Sequence, residues 1–87
     1  MWIPERTNRF KKQFKNLNPK LQTRVQDVID VLCNTGNPAL LGIYKKHMQV
    51  YAYEIGNDYR IIYDVNFTEK IIVFIRVGDH KGSYGKD

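Results

Sequence analysis

A chain with Cys33 as its lone cysteine cannot close a disulfide on itself, which suits a reducing compartment. Cys33 falls in an apolar helical pattern, where a buried thiol is the ordinary expectation. No apolar run approaches the length needed to span a bilayer, and Met1-Trp2-Ile3-Pro4-Glu5-Arg6 lacks the features of a secretory leader. A cytoplasmic protein with no membrane role is expected. Repeats, low-complexity tracts and internal linkers are missing too, and 87 residues fit one domain over 1–87 with no room for a second. Only two histidines occur, His47 and His80, and neither they nor Cys33 form a close ligand pair such as H-x-x-x-H or C-x-x-C. No metal and no cofactor is expected.

Acidic residues are scarce where basic ones are dense. Residues 1–24 carry Arg6, Arg9, Lys11, Lys12, Lys15, Lys20 and Arg24 against Glu5 alone, a local charge of +6 in a chain of +5. A one-sided basic field attracts polyanions or an acidic partner protein, although a solvated helix face would show the same composition. With 43% hydrophobic and 13% aromatic residues, a real core can form and disorder is excluded.

The apolar period changes once along the chain. Phe10, Phe14 and Leu17 share one helical stripe, and Lys11, Lys12 and Lys15 fall largely outside it. Asn18-Pro19 interrupts and restarts the pattern, Asn as N-cap and Pro in the first turn. Leu21, Val25, Val28, Ile29 and Leu32 form a stronger second stripe, with Gly36 and Asn37-Pro38 as its stop. Beyond that point the residues alternate. Tyr51, Tyr53 and Ile55, then Tyr59, Ile61, Tyr63 and Val65, then Lys70 to Val77 predict an antiparallel meander, and short strands are allowed at 1–5 and 42–46. Helices first and strands afterwards imply an α+β domain whose helix pair covers one sheet face, leaving the other partly open.

Particular runs then resemble a known family. Glu54-Ile55-Gly56-Asn57-Asp58-Tyr59-Arg60-Ile61-Ile62-Tyr63-Asp64-Val65 looks like the central hairpin of the RelE/ParE toxin superfamily, a G-x-YR-[IV]-[IV]-Y run between two strands. Arg76-Val77-Gly78-Asp79-His80-Lys81-Gly82-Ser83-Tyr84 is similar to the family's closing pattern of a strand ending in Gly, then a basic residue, then Tyr. Phe10-Lys11-Lys12 and the Leu-Asn-Pro junction also suit it. The resemblance implies two N-terminal antiparallel helices packed on one face of a three- to four-stranded, mainly antiparallel sheet. It implies the toxin of a type II toxin-antitoxin system, an mRNA-cleaving endoribonuclease (mRNA interferase) that acts at the ribosome and inhibits translation. It also implies a monomer when isolated and a cognate antitoxin encoded alongside. A ParE-like inhibitor of DNA gyrase with no catalysis, and an inactive antitoxin-binding homologue, stay open beside it. Tyr44-Lys45-Lys46-His47, Asp58 and His80 look like the histidine-based, YafQ-like branch, whereas Arg60 and Tyr84 match the RelE type. Ala52 and Glu54 stand where RelE-type members carry paired lysines.

Metal-free RNA cleavage uses the 2′-hydroxyl as internal nucleophile. It needs a base for that proton, an acid for the 5′-oxygen and cations for the charged phosphorane. Histidine suits the proton transfers. His80 is assigned as general acid and His47 as general base, on the expectation that both meet at one edge of the open face. Asp58 orients a histidine or shares the base role, or is simply a favoured turn residue. Arg60, out of phase with Tyr59 and Ile61, suits bidentate phosphate binding, or else it pairs with Glu54 or Asp64. Arg76, in phase with Phe74 and Ile72, is a second candidate for the phosphate. Tyr84 would stack on a base, and Lys45, Lys46 and Lys81 would add general attraction to RNA. Tyr51, Tyr53, Tyr59, Tyr63 and Trp2 read as packing residues.

Overall fold

Polar residues just ahead of each apolar stripe start the helices. In the computed structural model, which describes residues 1–56 and 58–79, Thr7 and Asn18 are the N-caps. Thr7 Oγ1 accepts from Phe10 N–H at 3.0 Å ahead of α1 (Asn8–Lys15). Asn18 Oδ1 accepts from Leu21 N–H at 2.9 Å ahead of α2 (Pro19–Asn34). Each cap satisfies an N–H that the first helical turn leaves without a partner, worth about 1 kcal/mol. At its far end α2 stops before Gly36, because Thr35 already turns extended and Asn37, restricted by Pro38, follows it. Trp2 takes up the freed carbonyls: its backbone N–H reaches Cys33 O at 2.8 Å and its indole N–H reaches Thr35 O at 3.1 Å. Gly36 is therefore not a left-handed stop; among the described glycines only Gly56, in the hairpin turn, has positive φ.

Both optional short strands form, so the sheet has five strands rather than three or four. They are β1 (Ile3–Arg6), β2 (Ile43–Lys45), β3 (Val50–Ile55), β4 (Tyr59–Asn66) and β5 (Ile71–Asp79), in the order β1-β5-β4-β3-β2. β1 runs parallel to β5 and every other pair is antiparallel. The parallel pair needs a long crossover, and it contains both helices. Among the described residues no helix is long and apolar enough to cross a membrane.

The core lies between the helices and one sheet face. Phe10 of α1 and Val25, Ile29, Leu32 and Cys33 of α2 meet Ile55, Ile61, Tyr63, Ile72, Phe74 and Val77, with Trp2 closing one end. Tyr51, Tyr53 and Tyr59 pack against this cluster, and Tyr63 is fully buried. Its hydroxyl donates to Pro38 O at 2.8 Å, tying the short 3-10 turn Pro38–Leu40 to the sheet. Gly42 makes room for that hydroxyl, since a Cβ there would stand 2.3 Å from it.

Strict alternation fails at one place, and the failure matters for the site. Tyr63 pairs with Phe74 but Ile62 pairs with Arg76, so β5 carries one extra residue, Ile75. Such a bulge moves everything beyond it to the opposite face. Arg76, which shares its phase with Ile72 and Phe74 in the sequence, thereby leaves the helix side and stands beside Ile62, while Val77 becomes core. Side chains before and within α1 hold the bulge. Thr7 Oγ1 donates to Ile75 O at 2.7 Å, Thr7 N–H reaches Phe74 O at 3.1 Å, and Gln13 Oε1 accepts from Val77 N–H at 2.9 Å.

Candidate active site on the outer face of the sheet

Alternation about the core residues Ile55, Ile61 and Tyr63 sends Ala52, Glu54, Arg60, Ile62 and Asp64 to the face away from the helices. Two rows cross this outer face. One runs Glu54, Arg60, Gly78; the next runs Ile43, Ala52, Ile62, Arg76. Arg60 and Arg76 are thus diagonal neighbours on adjacent strands, roughly 7–8 Å apart by ordinary sheet geometry. The middle of the face is closed rather than open, with Ala52 at 1% and Ile62 at 3% exposure.

Beside this apolar strip the Arg60 side chain is only 13% exposed, and its Nη2 donates to Glu54 Oε2 at 3.3 Å. A guanidinium held by a cross-strand carboxylate is preorganised, and with little water around it its field acts at short range. Two arginines on one face supply the charge and the forked donors that a phosphodiester requires.

The other sequence-derived candidates divide by location. Asp58 is exposed in the β3–β4 turn, two positions before Arg60. Lys45 ends β2 opposite Val50, and Lys46 and His47 lie exposed in the turn that follows. Val50 to Glu54 spans about 13 Å of strand. His47, beyond Val50, therefore sits at the end of β3 opposite Glu54 and Arg60, and the structure does not bring it to them. The meander carries His47 away because the β2–β3 and β3–β4 turns lie at opposite ends of one strand. His80, Lys81 and Tyr84 lie outside the described residues, so the expected meeting of His80 with His47 does too.

Sequence reasoning treated Glu54 as a pairing partner of Arg60 and as a replacement for one of the family's paired lysines; its position directly across from Arg60 follows once the hairpin register is known. The roles of Thr7 and Gln13 in placing Arg76 had no local signature, because their partners are 68 and 64 residues away.

A helix pair over one face of a mixed five-stranded sheet is the fold of RelE toxins. The structure superimposes on the toxin of the intact E. coli RelBE toxin-antitoxin complex with a TM-score of 0.77 at 15% identity, covering 91% of this chain and 96% of that one. It matches the Mycobacterium tuberculosis RelBE2 toxin-antitoxin complex with a TM-score of 0.76 at 17% identity, covering 91% and 98%. For the Methanococcus jannaschii RelB-RelE antitoxin-toxin complex the values are 0.66 and 26%, covering 88% and 91%. No curated protein sequence matches. Over residues 5–84 the sequence matches the family described as ParE toxin of the type II toxin-antitoxin system parDE, and the chain belongs to that family.

Proposed function

We propose that this chain is a metal-independent endoribonuclease, the toxin half of a type II toxin-antitoxin pair, which cleaves mRNA at the ribosome and thereby stops translation. The observation that carries the reading is the outer-face pair Arg60 and Arg76, the second delivered there by a bulge. A phosphodiester lying across them would receive hydrogen bonds from a guanidinium already oriented by Glu54, which lowers the reorganisation needed as charge builds on the phosphorane. His80 follows Asp79 directly in sequence and remains the proposed general acid, Tyr84 the proposed base-stacking residue, and Lys45, Lys46 and Lys81 cations for the wider RNA backbone. Asp58 is kept as an auxiliary carboxylate near Arg60. The RelE-like structures named above are complexes with antitoxins, which supports a cognate antitoxin here. The exposed cations of the helices, Arg9, Lys11, Lys12, Lys15, Lys20 and Arg24, suit an acidic one.

The family match also supports a second reading, a ParE-like inhibitor of DNA gyrase that needs no catalysis. Induction of the chain in cells, followed by mapping of mRNA 5′ ends, separates the two. Codon-phased cuts that disappear in Arg60→Ala and His80→Ala are expected. Intact transcripts with altered DNA supercoiling, unaffected by either substitution, would replace the nuclease with the gyrase reading.

A further inference from the structure

We propose that Glu54 is the general base of the cleavage, the group that takes the 2′-hydroxyl proton; the inference rests on the nuclease reading above. With His47 at the far end of β3, the proton acceptor must be sought around Arg60 itself. Three carboxylates of the β3–β4 hairpin invite comparison. Asp64 accepts from Val65 N–H at 2.9 Å and lies four residues further along β4. Asp58 is a turn residue beyond the strand end. Glu54 stands directly opposite Arg60 in the β3–β4 register, and its Oε2 lies 3.3 Å from Nη2.

That contact fixes more than a pair. A phosphate that takes hydrogen bonds from Arg60 lies within one group's width of Glu54, and the 2′-hydroxyl is attached to the same ribose as the 3′-phosphate. The carboxylate is 43% exposed against 13% for Arg60, so it sits on the side from which a ribose would approach. One carboxylate oxygen holds the guanidinium and the other is left to act on the hydroxyl.

The step balances without a co-reactant. Glu54 accepts the 2′-proton, and the electron pair of the 2′-oxygen forms a bond to phosphorus. The bond from phosphorus to the 5′-oxygen breaks, its electrons leave with that oxygen, and the oxygen takes up a proton from water or a general acid. The products are a 2′,3′-cyclic phosphate and a 5′-hydroxyl, and Glu54 then returns its proton to water.

The same contact could instead serve only to tether Arg60, or could repel RNA; Glu54→Gln separates these roles. Glutamine keeps an oxygen acceptor for Arg60 but cannot take the proton. The assay uses the full chain with a single-stranded oligoribonucleotide, free and as mRNA on ribosomes, and reads cyclic phosphate ends. For Glu54→Gln the expectation is a kcat lower by about 10²–10⁴-fold with KM changed less than about threefold. Glu54→Asp, which keeps the carboxylate, should recover at least roughly tenfold of that loss. Asp64→Asn removes an equal charge from the same face and should leave kcat within about twofold. Denaturation of each variant checks that it folds. Cleavage by Glu54→Gln at or above the wild-type rate, or a loss confined to KM, overturns the assignment while leaving the nuclease intact. A wild-type chain that cuts neither RNA overturns both.

Discussion

Replacing Thr7 by valine removes one hydroxyl and two hydrogen bonds at almost constant volume. Thr7 Oγ1 accepts from Phe10 N–H at 3.0 Å and donates to Ile75 O at 2.7 Å, so it caps α1 and satisfies the bulge in β5 together. Loss of the cap costs about 1 kcal/mol. Loss of the donor leaves a part-buried carbonyl without that partner, which costs about 1–3 kcal/mol. The sum of about 2–4 kcal/mol is a large share of the stability of a chain this size, about 4–13 kcal/mol at the usual value per residue. At about 4–8 °C per kcal/mol, Thr7→Val should melt roughly 8–32 °C below wild type. Thr7→Ser keeps the hydroxyl and should lose less than about 1 kcal/mol. Thermal and urea denaturation of both variants, followed by circular dichroism, give the comparison. If Thr7→Val melts within about 2 °C of wild type, or Thr7→Ser falls equally far, the hydroxyl does not hold the bulge and the placement of Arg76 needs another cause.

Three further outcomes follow from the core. Burial, reinforced by Tyr51 and Tyr53, pushes the Tyr63 hydroxyl above its ordinary value of 10.0, so its contribution is fully present below pH 10 and is lost as pH rises beyond that. Tyr63→Phe should therefore flatten the alkaline loss of stability while costing about 1–3 kcal/mol at neutral pH, where Pro38 O loses its donor, as urea titrations across pH will read. Gly42→Ala places a methyl group 2.3 Å from the Tyr63 hydroxyl and 3.1 Å from Ala52 O, and should destabilise by about 1–3 kcal/mol; wild-type stability would mean the 3-10 turn yields freely. Burial, with Asp30 adding to it, raises the Cys33 thiol, so alkylation by iodoacetamide at neutral pH should track global unfolding, and rapid labelling of the native chain would contradict its buried place.

Much of the fold was legible because its causes are local. The Phe10 and Phe14 stripe, the Leu21 to Leu32 stripe, the two caps and the alternating tyrosines each report a neighbourhood of a few residues, and helices and strands formed where they lay. The end of α2 fell just ahead of Gly36 as its pattern implied, but Trp2, 31 residues upstream of Cys33, and not a left-handed glycine, takes up its last carbonyls. The face a candidate residue occupies was legible only where it follows from unbroken alternation, as for Arg60. His47 was read from the resemblance of its segment to the histidine-based branch, and no local pattern tells that its turn lies at the end of β3 away from Glu54 and Arg60.

The composition and periodicity by themselves determined an α+β fold, with a basic helix pair and an arginine turned away from the core at position 60. Only the tertiary structure decided that Arg76 joins it and that Glu54, not His47, stands within reach of its guanidinium. The reason is physical: face and pairing depend on register, and one extra residue at Ile75, held by Thr7 across 68 positions of chain, inverts what local alternation implies.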